Sequence, residues 1–329
     1  MATLPPAEAF IRQLYDDGVL SNPDAELTPL TGGVSSEIYR VDDGSRQFVV
    51  KRALAKLKVS ADWYADTSRN AFEQAYIQYV GALMPEAVPD VIHADPQAGY
   101  FAMELLDGYA NWKAEMLSGQ FSEQVAQAAG RTLGKIHAAS WGDPNVASQF
   151  DAIENFDQLR IDPYLRATAA KRPEVSGQLL AEAQRLRQSR QCLMHGDYSP
   201  KNMLHRSARF VILDCEVACH GDAAFDLAFL LNHLLLKGLY HAPAKTNLQS
   251  LFDSVVHAYN EEVAGLSADI QSATARLLPM LLLARVDGKS PVEYLTPEKQ
   301  ERVRSFAIAH IMYPDHDLAS LATNWYTRP

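Results

Sequence analysis

The sequence predicts an α+β chain in two lobes: a small mixed lobe with an antiparallel sheet over residues 1–105, then a larger, mostly helical lobe over 106–329. Three observations carry that expectation. A chain of 329 residues has room for two domains. Strand-like runs alternate with helical periodicity ahead of Asp107-Gly108, and beyond that dipeptide almost every segment has helical spacing.

The elements follow in order. Pro6–Leu20 sets Phe10, Ile11, Leu14 and Val19 at helical spacing and stops at the turn-forming Ser21-Asn22-Pro23-Asp24. Glu37–Val41 and Gln47–Leu54 flank Asp42-Asp43-Gly44-Ser45 and read as a hairpin, since an Asp-Gly turn sits between β-branched runs. Ser68–Val80 returns to helical spacing. Val88–His93 and Gly99–Leu105 read as strands joined by Ala94-Asp95-Pro96-Gln97. The larger lobe carries helical patterns near 111–117, 122–140, 150–170, 174–189, 223–238, 245–264, 268–286 and 297–312. One interruption lies between 192 and 214, where Cys192-Leu193-Met194, Met203-Leu204 and Phe210–Leu213 look like a small hairpin set among helices. The 223–238 segment is apolar nearly all round, which predicts burial and leaves Asp226 and His233 needing buried partners.

Composition excludes several classes. Apolar residues at 47% and charged residues at 21% describe a folded globular chain. A net charge of −10 provides no cationic field for a nucleic acid partner. The apolar stretches Leu227–Leu236 and Leu277–Ala284 fall short of the roughly 18 residues of a membrane span, and no basic-then-apolar leader opens the sequence, so a cytoplasmic protein is expected. Cys192, Cys215 and Cys219 are too few for a disulfide framework, and Cys215-x-x-x-Cys219 lacks a second ligand pair for zinc.

The strongest chemical signal is His195-Gly196-Asp197-Tyr198-Ser199-Pro200-Lys201-Asn202, followed twelve residues on by Asp214-Cys215-Glu216. A strand-flanked loop with Asp, then Asn five residues later, then Asp at the end of the next strand gathers three oxygen-bearing side chains. That set suits phosphoryl transfer: one carboxylate orients an attacking hydroxyl while an amide and a second carboxylate hold Mg²⁺ on a triphosphate.

These motifs resemble those of the aminoglycoside phosphotransferase superfamily, with its choline and methylthioribose kinases, and the resemblance spans nearly the whole chain. HGDYSPKN is similar to the superfamily's catalytic loop, and LDCEVACHGDAAFDLA to its metal-binding segment and the helix after it. The resemblance implies a protein-kinase-like fold and an ATP- and Mg²⁺-dependent phosphotransferase, with Asp197 as base and Asn202 and Asp214 on the metal. Glu216, two residues after Asp214, is a candidate second metal ligand or an ion-pair partner at a strand end. It further implies that backbone amides around Gly32, Gly33, Val34 and Ser35 cover the phosphates and that Lys51, oriented by Glu73, contacts them. Met103, Glu104 and Leu105 would offer backbone groups to adenine. His195, Asp222 and Asp226 are expected to support the loop, Asp222 as the cap of the 223–238 helix.

Two departures bear on the acceptor. Gly196 stands where protein kinases carry Arg, and eleven residues between Asp214 and Asp226 leave no room for an activation segment, which disfavours a protein substrate. The N-terminal half is similar to methylthioribose kinase (VVKRALAKLK, VPDVIHADPQAGYFAMELL), but the late helices differ. There Arg285, Asp287 and Lys289 end an apolar helix and are candidates to bind a polyhydroxylated or anionic substrate, or simply form a solvated helix end. The expected activity is a kinase for a hydroxyl on a small, sugar-like molecule. An aminoglycoside or choline-type acceptor and a catalytically silent nucleotide-binding protein are the alternatives.

Overall fold

The computed structural model describes residues 6–30, 36–53, 69–95 and 98–327. The chain divides into two compact units, residues 1–108 and 109–329.

In the first unit α1 (Pro6–Asp16) precedes β1 (Glu26–Pro29), β2 (Ser36–Asp42), β3 (Gln47–Ala53), α2 (Arg69–Leu83), β4 (Val91–Asp95) and β5 (Tyr100–Glu104). The strands form one antiparallel sheet in the order β1-β2-β3-β5-β4. The β2–β3 turn is pinned by Asp43, whose Oδ1 accepts the amides of Ser45 and Arg46, both at 2.9 Å. Burial opposes the Asp43 charge, yet these bonds hold its carboxyl far below the usual carboxylate range. Alternation along β3 sorts its side chains. Phe48 and Val50 join Phe10 and Leu14 of α1 in a core that includes Tyr100 and Ala102; Lys51 points the other way and meets α2. Strand β1 has no counterpart in the sequence reading, because Glu26-Leu27-Thr28-Pro29 is an edge strand with little burial to impose alternation.

The second unit runs β6 (Ala110–Asn111), α3 (Trp112–Leu117), α4 (Glu123–Ser140), α5 (Pro144–Gln149), α6 (Ile153–Phe156), a π-helical stretch Asp157–Arg166, α7 (Ala167–Lys171), α8 (Ser176–Gln188), β7 (Cys192–Met194), β8 (Met203–Arg206), β9 (Arg209–Ile212), β10 (Cys219–Gly221), α9 (Ala223–Tyr240), α10 (Lys245–Val263), α11 (Ser267–Asp287), α12 (Pro297–Met312) and α13 (Leu318–Thr327). The single helix expected over 150–170 is instead α6, the π-helical stretch and α7. Pro163 lies in the widened part, where a tighter helix would force its ring against a preceding carbonyl. The expected hairpin is β8–β9, to which β6 adds a third strand, while β7 pairs with β10.

Helix α9 is the centre of this unit, packed by α10, α11 and α13. At 18 residues it is long and apolar enough by composition to cross a bilayer, which corrects the shorter stretch read from sequence; 89% of it is buried inside the unit. Helices α4 and α10 approach so closely that a Cβ on Gly130 would lie 2.3 Å from the Val255 carbonyl oxygen. All three cysteines are free and buried.

Candidate active site

The loop from His195 to Asn202 leaves β7 and enters β8, and the protein holds it at almost every residue. Asp226, fully buried on α9, accepts the His195 amide at 2.6 Å through Oδ2 and the Gly196 amide at 2.9 Å through Oδ1. His195 Nδ1 accepts the Asp197 amide at 3.2 Å, so Nε2 carries the hydrogen donated to the Leu213 carbonyl at 3.1 Å. Burial pushes the His195 pKa down and keeps the ring neutral in that tautomer. The imidazole thus links the loop to the segment that carries Asp214. Tyr198 donates to the Ala129 carbonyl of α4 at 2.8 Å. Gly196 has φ +74°, and a Cβ there would meet the Val217 oxygen at 2.6 Å, so both conformation and space require glycine.

Asp197 is 4% exposed. Its Oδ2 contacts Arg160 Nη2 at 3.0 Å and Lys201 Nζ at 2.9 Å. Burial raises its pKa, but Arg160 and Lys201 outweigh that and hold the carboxyl below the usual range, ionised at neutral pH. Oδ1 is bonded to nothing among the described residues. Arg160 comes from the π-helical stretch; its Nε donates to the Gly196 carbonyl at 2.7 Å and Nη1 to the Leu159 carbonyl at 2.7 Å. Its guanidinium therefore spans the loop backbone and the Asp197 side chain. Burial works against the Arg160 charge, and Asp197, Glu216 and Asp214 restore it, which places all three carboxylates within electrostatic reach of one cation. Neither Arg160 nor Lys201 was singled out from sequence. Lys201 sits inside the motif and was legible there; Arg160 is distant in sequence and carried no local signal.

Asn202 Nδ2 donates to the Asp197 carbonyl at 3.0 Å, which leaves Oδ1 as its remaining donor atom to a cation. Asp214 has φ +62°, a left-handed conformation that Asp tolerates better than most residues and that is retained where local geometry demands it. Among the described residues no three His, Cys, Asp or Glu side chains converge as a metal cluster. The Asn202 amide oxygen with Asp214, and Glu216 nearby, nonetheless fits Mg²⁺, which takes one or two carboxylates and completes its shell with phosphate oxygens and water.

In the first unit Lys51 Nζ lies 2.8 Å from Glu73 Oε1, both side chains buried, so β3 and α2 fix the ammonium in one place. Gly32, Gly33, Val34 and Ser35 lie outside the described residues. Met103 pairs with Val49 and Val91 inside the sheet, and the Glu104 amide donates to the Asp90 carbonyl at 2.9 Å, so that amide is already committed; Leu105 follows the strand end.

Asp222 caps α9 by accepting the Ala224 amide at 3.0 Å and pairs with Arg185. The proposed grouping of Arg285, Asp287 and Lys289 does not form. Asp287 is a clasp that accepts Arg172 Nε at 2.6 Å and Arg304 Nη2 at 3.0 Å, tying α12 and the end of α7 to α11. Lys289 pairs with Asp162 at the surface, 2.7 Å away. Arg285 turns instead to Tyr164 and Ser290. The physical reason is the helix end itself: residues two apart on a helix do not face the same way.

Residues 26–252 match the family model described as the phosphotransferase enzyme family, APH. The chain belongs to that family. Methylthioribose kinase of Yersinia pseudotuberculosis is 22% identical over 253 residues, covering 67% of this chain and 61% of that protein. The chain thus spans about three fifths of the length of the relatives it matches. Among solved structures, amicoumacin kinase hAmiN in complex with AMP-PNP, Ca²⁺ and Ami superposes with a TM-score of 0.60 at 14% identity, over 94% of this chain and 96% of that one. ADP-bound aminoglycoside phosphotransferase APH(2'')-Ib gives 0.53 at 17% identity, over 92% and 98%. These likenesses establish the protein-kinase-like fold.

Proposed function

We propose that this protein transfers the γ-phosphoryl group of ATP to a hydroxyl of a small, sugar-like molecule. The observation that carries the reading is Asp197: a buried carboxylate anchored at Oδ2 by Arg160 and Lys201, with Oδ1 left to receive a hydrogen bond from an acceptor. The acceptor oxygen attacks the γ-phosphorus as the bond from that phosphorus to the β,γ-bridging oxygen breaks, and ADP leaves with the electron pair. The hydroxyl proton passes to Asp197 and then to water. Because such transition states are loose, the proton moves late and a carboxylate kept ionised by two cations is a sufficient acceptor.

Arg160 and the Asp226 bonds keep the loop backbone still, so the acceptor meets Asp197 in one geometry. Lys51, steadied by Glu73, would contact the phosphates, with amides of residues 32–35 covering them and the 103–105 backbone meeting adenine. Bound at Asn202, Asp214 and Glu216, Mg²⁺ would neutralise charge on the triphosphate. Gly196, where protein kinases carry Arg, and the short passage from Asp214 to Asp226 support a small acceptor over a protein.

The test is ADP release from Mg-ATP across methylthioribose, free sugars, sugar acids and sugar phosphates, aminoglycosides and amino alcohols, with Asp197→Ala alongside. Acceptor-dependent release by the wild type, reduced about 10²–10⁴-fold in the variant with ATP binding retained, is expected. Equal turnover by the variant removes the base assignment. No acceptor-dependent release removes the kinase reading.

A further inference from the structure

Helix α9 carries Phe229, His233 and Lys237 along one stripe, each one turn from the next. Lys237 is 1% exposed. An ammonium at that depth is costly unless an anion meets it. Among the described residues the Lys237 ammonium has no carboxylate within ion-pair distance and makes no hydrogen bond; the Tyr294 ring lies 5.7 Å from Nζ. From α11, Arg285 reaches the same neighbourhood. Its Nη1 donates to two neutral oxygens, Tyr164 Oη at 3.2 Å and Ser290 Oγ at 3.0 Å, and its Nε is buried with no partner. The Tyr294 hydroxyl is likewise buried and unpartnered.

The surroundings are of one sign. Burial lowers the Lys237 pKa to about 7, and Lys113 and Arg285 push it the same way. His233 is pushed down by burial and then by Lys237, Arg285, Lys201 and Lys113. The charges that act most strongly on these two groups are cations. Such an array is the complement of an anion, and among the described residues no carboxylate pairs with Lys237 or Arg285.

Its position connects it to the loop. Lys201, which acts on His233, pairs with Asp197. Arg160, the other partner of Asp197, lies over the Phe229 ring at 5.8 Å, and that ring touches His233 and Tyr164, each at 5.5 Å between centroids. One aromatic ring therefore separates the partner of Asp197 from the cationic array.

We infer that the phosphoryl acceptor carries an anionic group, a carboxylate or a phosphate monoester, bound by Lys237, Arg285, His233 and the Tyr294 hydroxyl while its reacting hydroxyl sits at Asp197. This rests on the kinase reading above and names the acceptor's class. Choline and polycationic aminoglycosides are excluded as acceptors, because their charge would meet Lys237 and Arg285 with no carboxylate paired to either among the described residues.

The experiment measures dissociation constants by titration calorimetry for ribose 5-phosphate, glycerate, ribose and choline on the wild type, Lys237→Met and Arg285→Gln, with ADP release followed in parallel. At least one of the two anions is expected to bind at least about tenfold more tightly than ribose and choline, and each substitution to remove that preference. The two anionic arms distinguish phosphate from carboxylate. Failure of both anions to bind, ribose or choline binding as tightly as both, or a preference that survives both substitutions overturns the inference. Anion-selective binding that is lost in both variants but accompanied by no turnover sinks the kinase reading alone; turnover of ribose or choline without anion preference sinks this inference alone.

Discussion

Replacing Asp226 by Asn tests how the core holds the His195–Asn202 loop, because the change keeps size and removes one acceptor. The carboxylate accepts two backbone amides, from His195 at 2.6 Å and Gly196 at 2.9 Å, and its Oδ2 lies 3.5 Å from the buried His137 Nε2. A hydrogen bond to a charged group contributes about 1.5–3 kcal/mol, and a buried donor left without a partner costs about 1–3 kcal/mol. An asparagine keeps one of the two bonds at neutral strength and turns its own N–H₂ toward the other amide. The expected loss is about 3 kcal/mol. With a urea slope of about 3 kcal/mol per M for a unit of this size, the unfolding midpoint falls by about 1 M. Tryptophan fluorescence suits the measurement, since three of the four tryptophans, Trp112, Trp141 and Trp325, belong to the second unit. Acceptor-dependent turnover should fall with ATP affinity retained, because the substitution frees the loop and leaves the first unit intact. A midpoint within about 0.2 M of wild type would refute the reasoning, since one buried amide would then have lost its acceptor, and the other its charged one, at no cost.

The remaining expectations concern the loop's glycine and the buried lysine. Gly196→Ala places a Cβ 2.6 Å from the Val217 oxygen at φ +74°, so backbone must shift; a loss of about 2–4 kcal/mol, seen by calorimetry as a melting point lower by about 5–15 °C, is expected, and an unchanged melting point would contradict the packing. Lys237→Met should stabilise the ligand-free protein in a pH-dependent way. The folded-state pKa of about 7 lies below the ordinary 10.5, so the unfolded chain binds more protons between them and wild-type stability rises with pH across that window. The gap corresponds to about 5 kcal/mol as an upper bound, present in full below about pH 7 and gone above about pH 10.5. Urea midpoints of both proteins at pH 6 and pH 10 check it; a difference that does not shrink at the higher pH would show that Lys237 is not the titrating group.

Much of the fold was legible because local chemistry and burial agreed. The β2–β3 hairpin announces itself by Asp42-Asp43-Gly44-Ser45 between apolar runs, and α9 by its nearly continuous apolar sequence. The elements that went unread lacked such agreement: β1 is exposed, and β10 is three residues long and exists because β7 lies beside it. The broken helix over 153–171 looks regular in sequence, since periodicity alone does not register how Pro163 widens the turn.

By itself the sequence determined most of the elements, the motifs that carry Asp197, Asn202 and Asp214, and the family to which they belong, because these depend on residues close along the chain. Only the tertiary structure decided which charges meet. Arg160 reaches Asp197 from a distant π-helical stretch, Asp287 is consumed by Arg172 and Arg304, and Lys237 is left buried among cations. Electrostatic energy depends on separation in space and on burial, and neither is written in the spacing of residues along a chain.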